Sequence, residues 1–206
     1  LVDVPVVKRV ELLIKMIGQE GEAKATQNGN LPKKIVNALY DFGDFRRHTI
    51  QTEDFAPDIL ALRYAVIECG WLKKRTGRFS LTKKGQQIFD HGFQPSDYVV
   101  LLKYWMREYN WGFTDRCSQL RVIQESVVFM LYMLKKVSQE PFVAELFTEF
   151  FVRAFPVVME EIADEPNPLE QSLEDKLGRV IRLRFLERFA AYFGLIDYKL
   201  DKQIPW

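Results

Sequence analysis

The sequence predicts a mainly α protein, in which three helices, a β-hairpin and a fourth helix precede an all-helical region. Three observations carry that prediction. Apolar residues recur at helical spacing over residues 5–19, 31–42 and 53–70. Short alternating runs flank Thr76-Gly77 in LKKRTGRFSL, the pattern of a tight hairpin. Beyond Phe93 the chain turns to long aromatic-rich stretches that keep the helical period. That change of texture sets the expected domains at 1–93 and 94–206. With 206 residues, 48% of them hydrophobic, the chain can bury one large core or two small ones.

Val6, Val10, Leu13, Ile14 and Ile17 form the first helix face, which Gly18 and Gly21 end. AKAT (23–26) reads as a short strand, and QNGN then turns the chain. Asn30, with Pro32 in the first turn, opens a helix through Ile35, Val36 and Leu39 that stops at Gly43. DFRRHTIQT (44–52) reads as a loop. A third helix starts near Thr52 to Asp54, holds Pro57 in its first turn, and runs through Ile59, Leu62, Val66 and Cys69 to Gly70. Pairing the hairpin about Thr76-Gly77 sets Arg75 against Arg78, Lys74 against Phe79, Lys73 against Ser80 and Leu72 against Leu81. Leu72, Lys74, Phe79 and Leu81 then share the inward face, and Lys73, Arg75 and Arg78 share the other. Thr82 is the expected N-cap of a last helix containing Gln86, Ile88 and Phe89.

In the second part the helical period runs over 95–111, 115–138, 140–163 and 169–193. Pro95, Gly112, Pro141, EPNP (165–168) and Gly194 interrupt it, and Pro156 is expected to end or kink the third stretch. Aromatics such as Trp105, Phe147, Phe151, Phe185 and Phe189 recur at helical spacing, which reads as core. FTEFFVRAFPVVM is apolar on most of its circumference, so it must be buried centrally or against a partner chain. FAAYFGLIDYKL (189–200) echoes YAVIECGWLKKR (64–75): a helix ending in Gly, an apolar pair, then a short extended run.

The order helix, short strand, helix, helix, hairpin, helix, closed by ECGWLKKRTGRFSLTKKGQQIF, resembles the winged helix-turn-helix superfamily over about residues 5–92. The resemblance implies that the hairpin is a wing. On the same pattern, the echo at 189–200 reads as a degenerate second winged unit. GNLPKKIVNALYDFG and YFGLIDYKL are also similar to pieces of an uncharacterised bacterial family sometimes joined to a small Cys-rich metal-binding tail; this sequence, with Cys69 and Cys117 alone, contains no such tail.

Winged helices usually bind DNA by seating the second motif helix in the major groove and the wing along phosphates. That role implies phosphate contact here by Lys33, Lys34, Arg46, Arg47, Lys73, Arg75, Arg78, Lys83 and Lys84. Arg75 opposed to Arg78 is mildly destabilising, and is easier to understand with a phosphate between them. Edge cations also keep a hairpin from pairing with neighbours, and the same residues serve that end. The helix at 53–70 argues against base reading. It carries Glu53, Asp54, Asp58 and Glu68 against Arg63, and offers only Arg63 and Tyr64 to base edges. The connection from Gly43 to Thr52 is also longer than an ordinary helix-turn-helix turn.

The net charge is +1, divided as +4 over residues 1–93 and −3 over the remainder, which permits an anionic partner for the first part. No run approaches the roughly 20 apolar residues of a bilayer span, so no membrane partner is expected. LVDVPVVKRVELLIKMIG reads as an amphipathic helix and not as a signal peptide. The chain begins at Leu1 without Met, as a processed or trimmed piece would. Two cysteines without CxxC spacing fit a reducing cytoplasm. His48 and His91 lie far apart and outside any Glu-x-x-His pattern, so neither a metal nor another cofactor is expected. Cys69 reads as core, and Cys117, beside Asp115 and Arg116, as incidental. No glycine-rich phosphate loop or nucleophile elbow appears, and catalysis is not expected. Two functional expectations stand. One is a winged-helix protein that touches nucleic acid through its wing and Lys33/Lys34, with a helical region for homodimerisation or sensing. The other is a protein–protein interaction module without DNA binding, with the acidic 53–70 helix in its surface.

Overall fold

The structure, a computed structural model, describes residues 3–41, 52–114, 117, 120–137, 141–167 and 169–198. It is mainly helical, with one small antiparallel sheet of three strands. Two compact units divide the chain, Leu1–Tyr109 and Asn110–Trp206. The boundary expected after Phe93 therefore falls at Tyr109, because the helix that follows Phe93 packs on the first unit.

In the first unit, α1 (Pro5–Glu20) buries Val6, Val10, Leu13, Ile14 and Ile17, and ends on Gly21 with φ 74°. A side chain is strained at that left-handed angle, which is why glycine closes the helix. The strand β1 (Glu22–Lys24) follows, then α2 (Lys33–Asp41). The expected helix stop at Gly43 and nearly all of the loop at 44–52 lie outside the described residues. The third helix is split: a 3₁₀ turn, Glu53–Phe55, precedes α3 (Pro57–Glu68), with Pro57 in the first turn of the true helix.

Next come β2 (Leu72–Arg75), β3 (Arg78–Leu81) and α4 (Lys83–His91). The sheet order is β1-β3-β2, and the hairpin has the expected register, from Leu72↔Leu81 to Arg75↔Arg78. Both central turn residues have positive φ, 46° at Thr76 and 71° at Gly77, as a turn matched to strand twist requires. Thr82 caps α4: its Oγ1 accepts from the Gly85 amide at 3.1 Å and donates to the Gly70 carbonyl at 2.6 Å. Gly85 is packed tightly, since a Cβ there would lie 2.0 Å from the Trp71 carbonyl oxygen. Then α5 (Pro95–Arg107) opens with a capping box between Gln94 and Asp97, buries Leu101 and Trp105, and packs against α3.

The second unit contains α6 (Val122–Glu125), α7 (Val127–Val137), α8 (Ala144–Ala154), α9 (Val158–Asp164), α10 (Leu173–Ile181) and a π-helix, Arg182–Ala191. Pro156 separates α8 from α9, as its missing N–H dictates. Aromatic rings run through the core: Phe147 stacks on Phe185 at 5.3 Å, and Trp111 meets Phe189 at 5.0 Å. Two buried cations close polar ends within it. Lys176 donates to the carbonyls of Ile162 (2.7 Å) and Glu165 (2.6 Å) at the end of α9, and Arg184 to those of Leu120 (2.6 Å) and Cys117. The strand expected near 195–200 for a second winged unit is not found in its described part, 195–198. There Leu195 bonds back to the Ala190 carbonyl at 2.8 Å and Gly194 has φ 67°, which closes the helix as Trp71 and Gly70 close α3, but no strand follows within the described part.

Candidate nucleic-acid interface

Strand alternation sorts the sheet into two faces. Glu22 pairs with Ser80, Ala23 with Phe79 and Lys24 with Arg78. Ala23, Leu72 and Phe79 are buried on the inward face. Lys74 shares that face near the tip, where its Nζ donates to the Gly29 carbonyl at 2.7 Å and stands 5.7 Å from the Phe79 ring centre. It therefore ties the hairpin to the turn before α2. The outward face consists of Glu22, Lys24, Lys73, Arg75, Arg78 and Ser80.

The expected phosphate-contacting residues divide by what already holds them. Lys73, Arg75, Lys83 and Lys84 are exposed, with no carboxylate partner among the described residues. Arg78 is paired with Glu22 of β1, and Lys34 with Glu20 at 2.7 Å. Lys33 is exposed in the first turn of α2. Arg46 and Arg47 lie outside the described residues, as does His48. The sheet brings Lys73, Arg75 and Arg78 onto one face, while Lys33 and Lys34 stand on a separate helix. Glu22 and Lys24 belong to the same face and escape a reading of the sequence, because EAK carries no alternation long enough to fix its register on β3.

Helix α3 offers no cation to a ligand. Arg63 is buried, and its Nε donates to Glu53 at 2.6 Å, with side-chain exposures of 7% and 0%. The other Glu53 oxygen accepts the Leu31 amide at 2.7 Å, and Asn30 Nδ2 donates to Asp54 at 2.7 Å instead of capping α2. Two of the four acids counted against base reading are thus engaged inside the unit. Tyr64 and Glu68 are the exposed residues of α3, with Pro57, Asp58, Leu60 and Ile67 half-buried. Helix α5 packs on α3, and there burial, then Glu68 and Cys69, push the Tyr104 hydroxyl up to about 12. Burial, then Glu68 and Asp97, push the Cys69 thiol up to about 12, so it stays protonated at neutral pH.

Among the described residues no three His, Cys, Asp or Glu side chains converge as metal ligands would, and no helix is long and apolar enough to cross a membrane. Comparison of the chain with protein-family models, curated proteins and solved structures finds no match.

Proposed function

We propose that the first unit is a winged helix-turn-helix module with a binding role and no catalysis, which holds the phosphate backbone of nucleic acid through its hairpin without reading bases. The order α1-β1-α2-α3-β2-β3 and the sheet order β1-β3-β2 support the winged assignment. The observation that carries the binding role is the set of exposed cations Lys73, Arg75, Lys83 and Lys84 on the hairpin and the first turn of α4, without carboxylate partners among the described residues. Cations in a helix's first turn oppose its dipole, so a bound anion there relieves them. With α3 lacking an exposed cation, the contact is electrostatic and indifferent to sequence. The two cysteines are not bridged, which suits a reducing compartment such as the cytoplasm.

Fluorescence anisotropy with a random-sequence duplex tests this reading. Four phosphates neutralised predict a slope of log K against log salt of about −3 to −4, and a Kd on the order of 10⁻⁴–10⁻⁶ M at physiological salt. Changing Lys73 and Arg75 together to Ala should lower affinity and flatten the slope by about 2. Undetectable binding at about 50 mM salt would sink the proposal.

The protein partner expected of the helical region is favoured by one observation. On α7, Val128 and Tyr132 point outward with 70% and 58% of their surface exposed, one helical turn apart. A homodimer through that face is its simplest form. Sedimentation that gives a monomer at high concentration speaks against it.

A further inference from the structure

The sheet's outward face carries more charge than the hairpin alone, and one of its residues opposes the rest. The register sets Lys24 of β1 beside Arg78 of β3, and Arg78 beside Arg75 of β2. Three cations thus lie in one row across all three strands, spaced by the roughly 5 Å separation of neighbouring strands. The row behind it is Glu22, Ser80 and Lys73. Like charges directly opposed across strands are unfavourable, yet only the central Arg78 has a carboxylate partner among the described residues, Glu22 on the adjacent strand.

Nothing apolar shares this face. Ala23, Leu72 and Phe79 all point inward and are buried. A protein partner would want an apolar anchor at the centre of its contact, which the face lacks. A single strand would want an aromatic stacking platform, which it also lacks. A cationic, wholly polar strand face matches the backbone of a duplex.

We propose that the Lys24–Arg78–Arg75 row joins Lys73, Lys83 and Lys84 in the duplex-backbone contact of this unit, with Glu22 an internal competitor that holds Arg78 until a phosphate replaces it. The proposal rests on the phosphate-binding reading above. It adds a cation from β1 and a residue that weakens binding. Both charges of the Glu22–Arg78 pair are half-exposed, at 49% and 52%. Arg78 can therefore exchange one anion for another without a change of fold. Each exchange with the duplex must first release Glu22, so removing that carboxylate raises affinity.

The test uses the whole chain and the same random-sequence duplex over a salt series. Glu22→Gln, which keeps the side-chain volume, should bind several-fold more tightly, with a salt slope steeper by about 1. Lys24→Ala should weaken binding and flatten the slope by about 1. Lys15→Ala, on the exposed side of α1, should change neither. A wild type that binds while Glu22→Gln is unchanged or weaker overturns this inference alone, as does Lys24→Ala behaving like Lys15→Ala. If neither wild type nor Glu22→Gln binds duplex, the inference falls together with the reading beneath it. Binding to polyglutamate in place of duplex also overturns it, in favour of an acidic protein partner.

Discussion

Glu53 accepts two donors at once, the Leu31 amide and Arg63 Nε, and neither partner of the ion pair reaches solvent to any extent. Such a pair contributes little against a well-packed apolar substitute, but breaking it on one side leaves a buried charge alone. Arg63→Ala should therefore lower the unfolding free energy by about 3–5 kcal/mol in urea titrations. A loss within about 0.5 kcal/mol, as for a surface residue, would show that the pair does not anchor this region. Arg63 also marks the limit of what could be read beforehand. Its charge offered it to base edges in the sequence, but it shares a helical face with the buried Ile59, Leu62 and Val66 and is buried with them. Its partner was not legible either, because Glu53 reaches it only through a 3₁₀ turn that the sequence presents as the start of a longer helix.

The hairpin and α4 form the element most completely legible in advance. Its alternation, turn and Thr82 cap are all local, and local preferences here agree with the final packing. The same stretch carries a constraint that composition hides. Gly85 sits in the first turns of α4 against the Trp71 carbonyl, where a Cβ would come within 2.0 Å of backbone oxygen. Backbone cannot rotate aside as a side chain can, so Gly85→Ala must push α4 away from the hairpin. Thermal unfolding should show a loss of about 1–3 kcal/mol, although alanine is the better helix former. An unchanged or raised Tm would mean that α4 shifts freely. The strand β1 was legible as a short extended run and nothing more, because its register depends on residues far along the chain. The cation row across the sheet was hidden for the same reason.

At the scale of the whole molecule, texture misplaced one boundary. The aromatic-rich helices begin at Pro95, but α5 belongs to the first unit, where it lies on α3. Periodicity shows that a helix has an apolar side without showing which neighbour that side covers. In the second unit the same limit applies, for the helix ending at Ala191 reads as ordinary α from its period and winds as a π-helix. The position of α5 also bears on how the chain can be cut. A fragment ending at Phe93 keeps α1 to α4 and all three strands of the sheet, yet it strips the cover from a helix that shows few polar residues of its own. That fragment should aggregate or melt at lower temperature than one ending at Tyr109, and a synthetic peptide of residues 95–107 should restore it in trans. Equal stability of the two fragments would show that α5 is dispensable. In this sense α3 already has a tenant: the chain supplies, covalently attached, a partner for its apolar side.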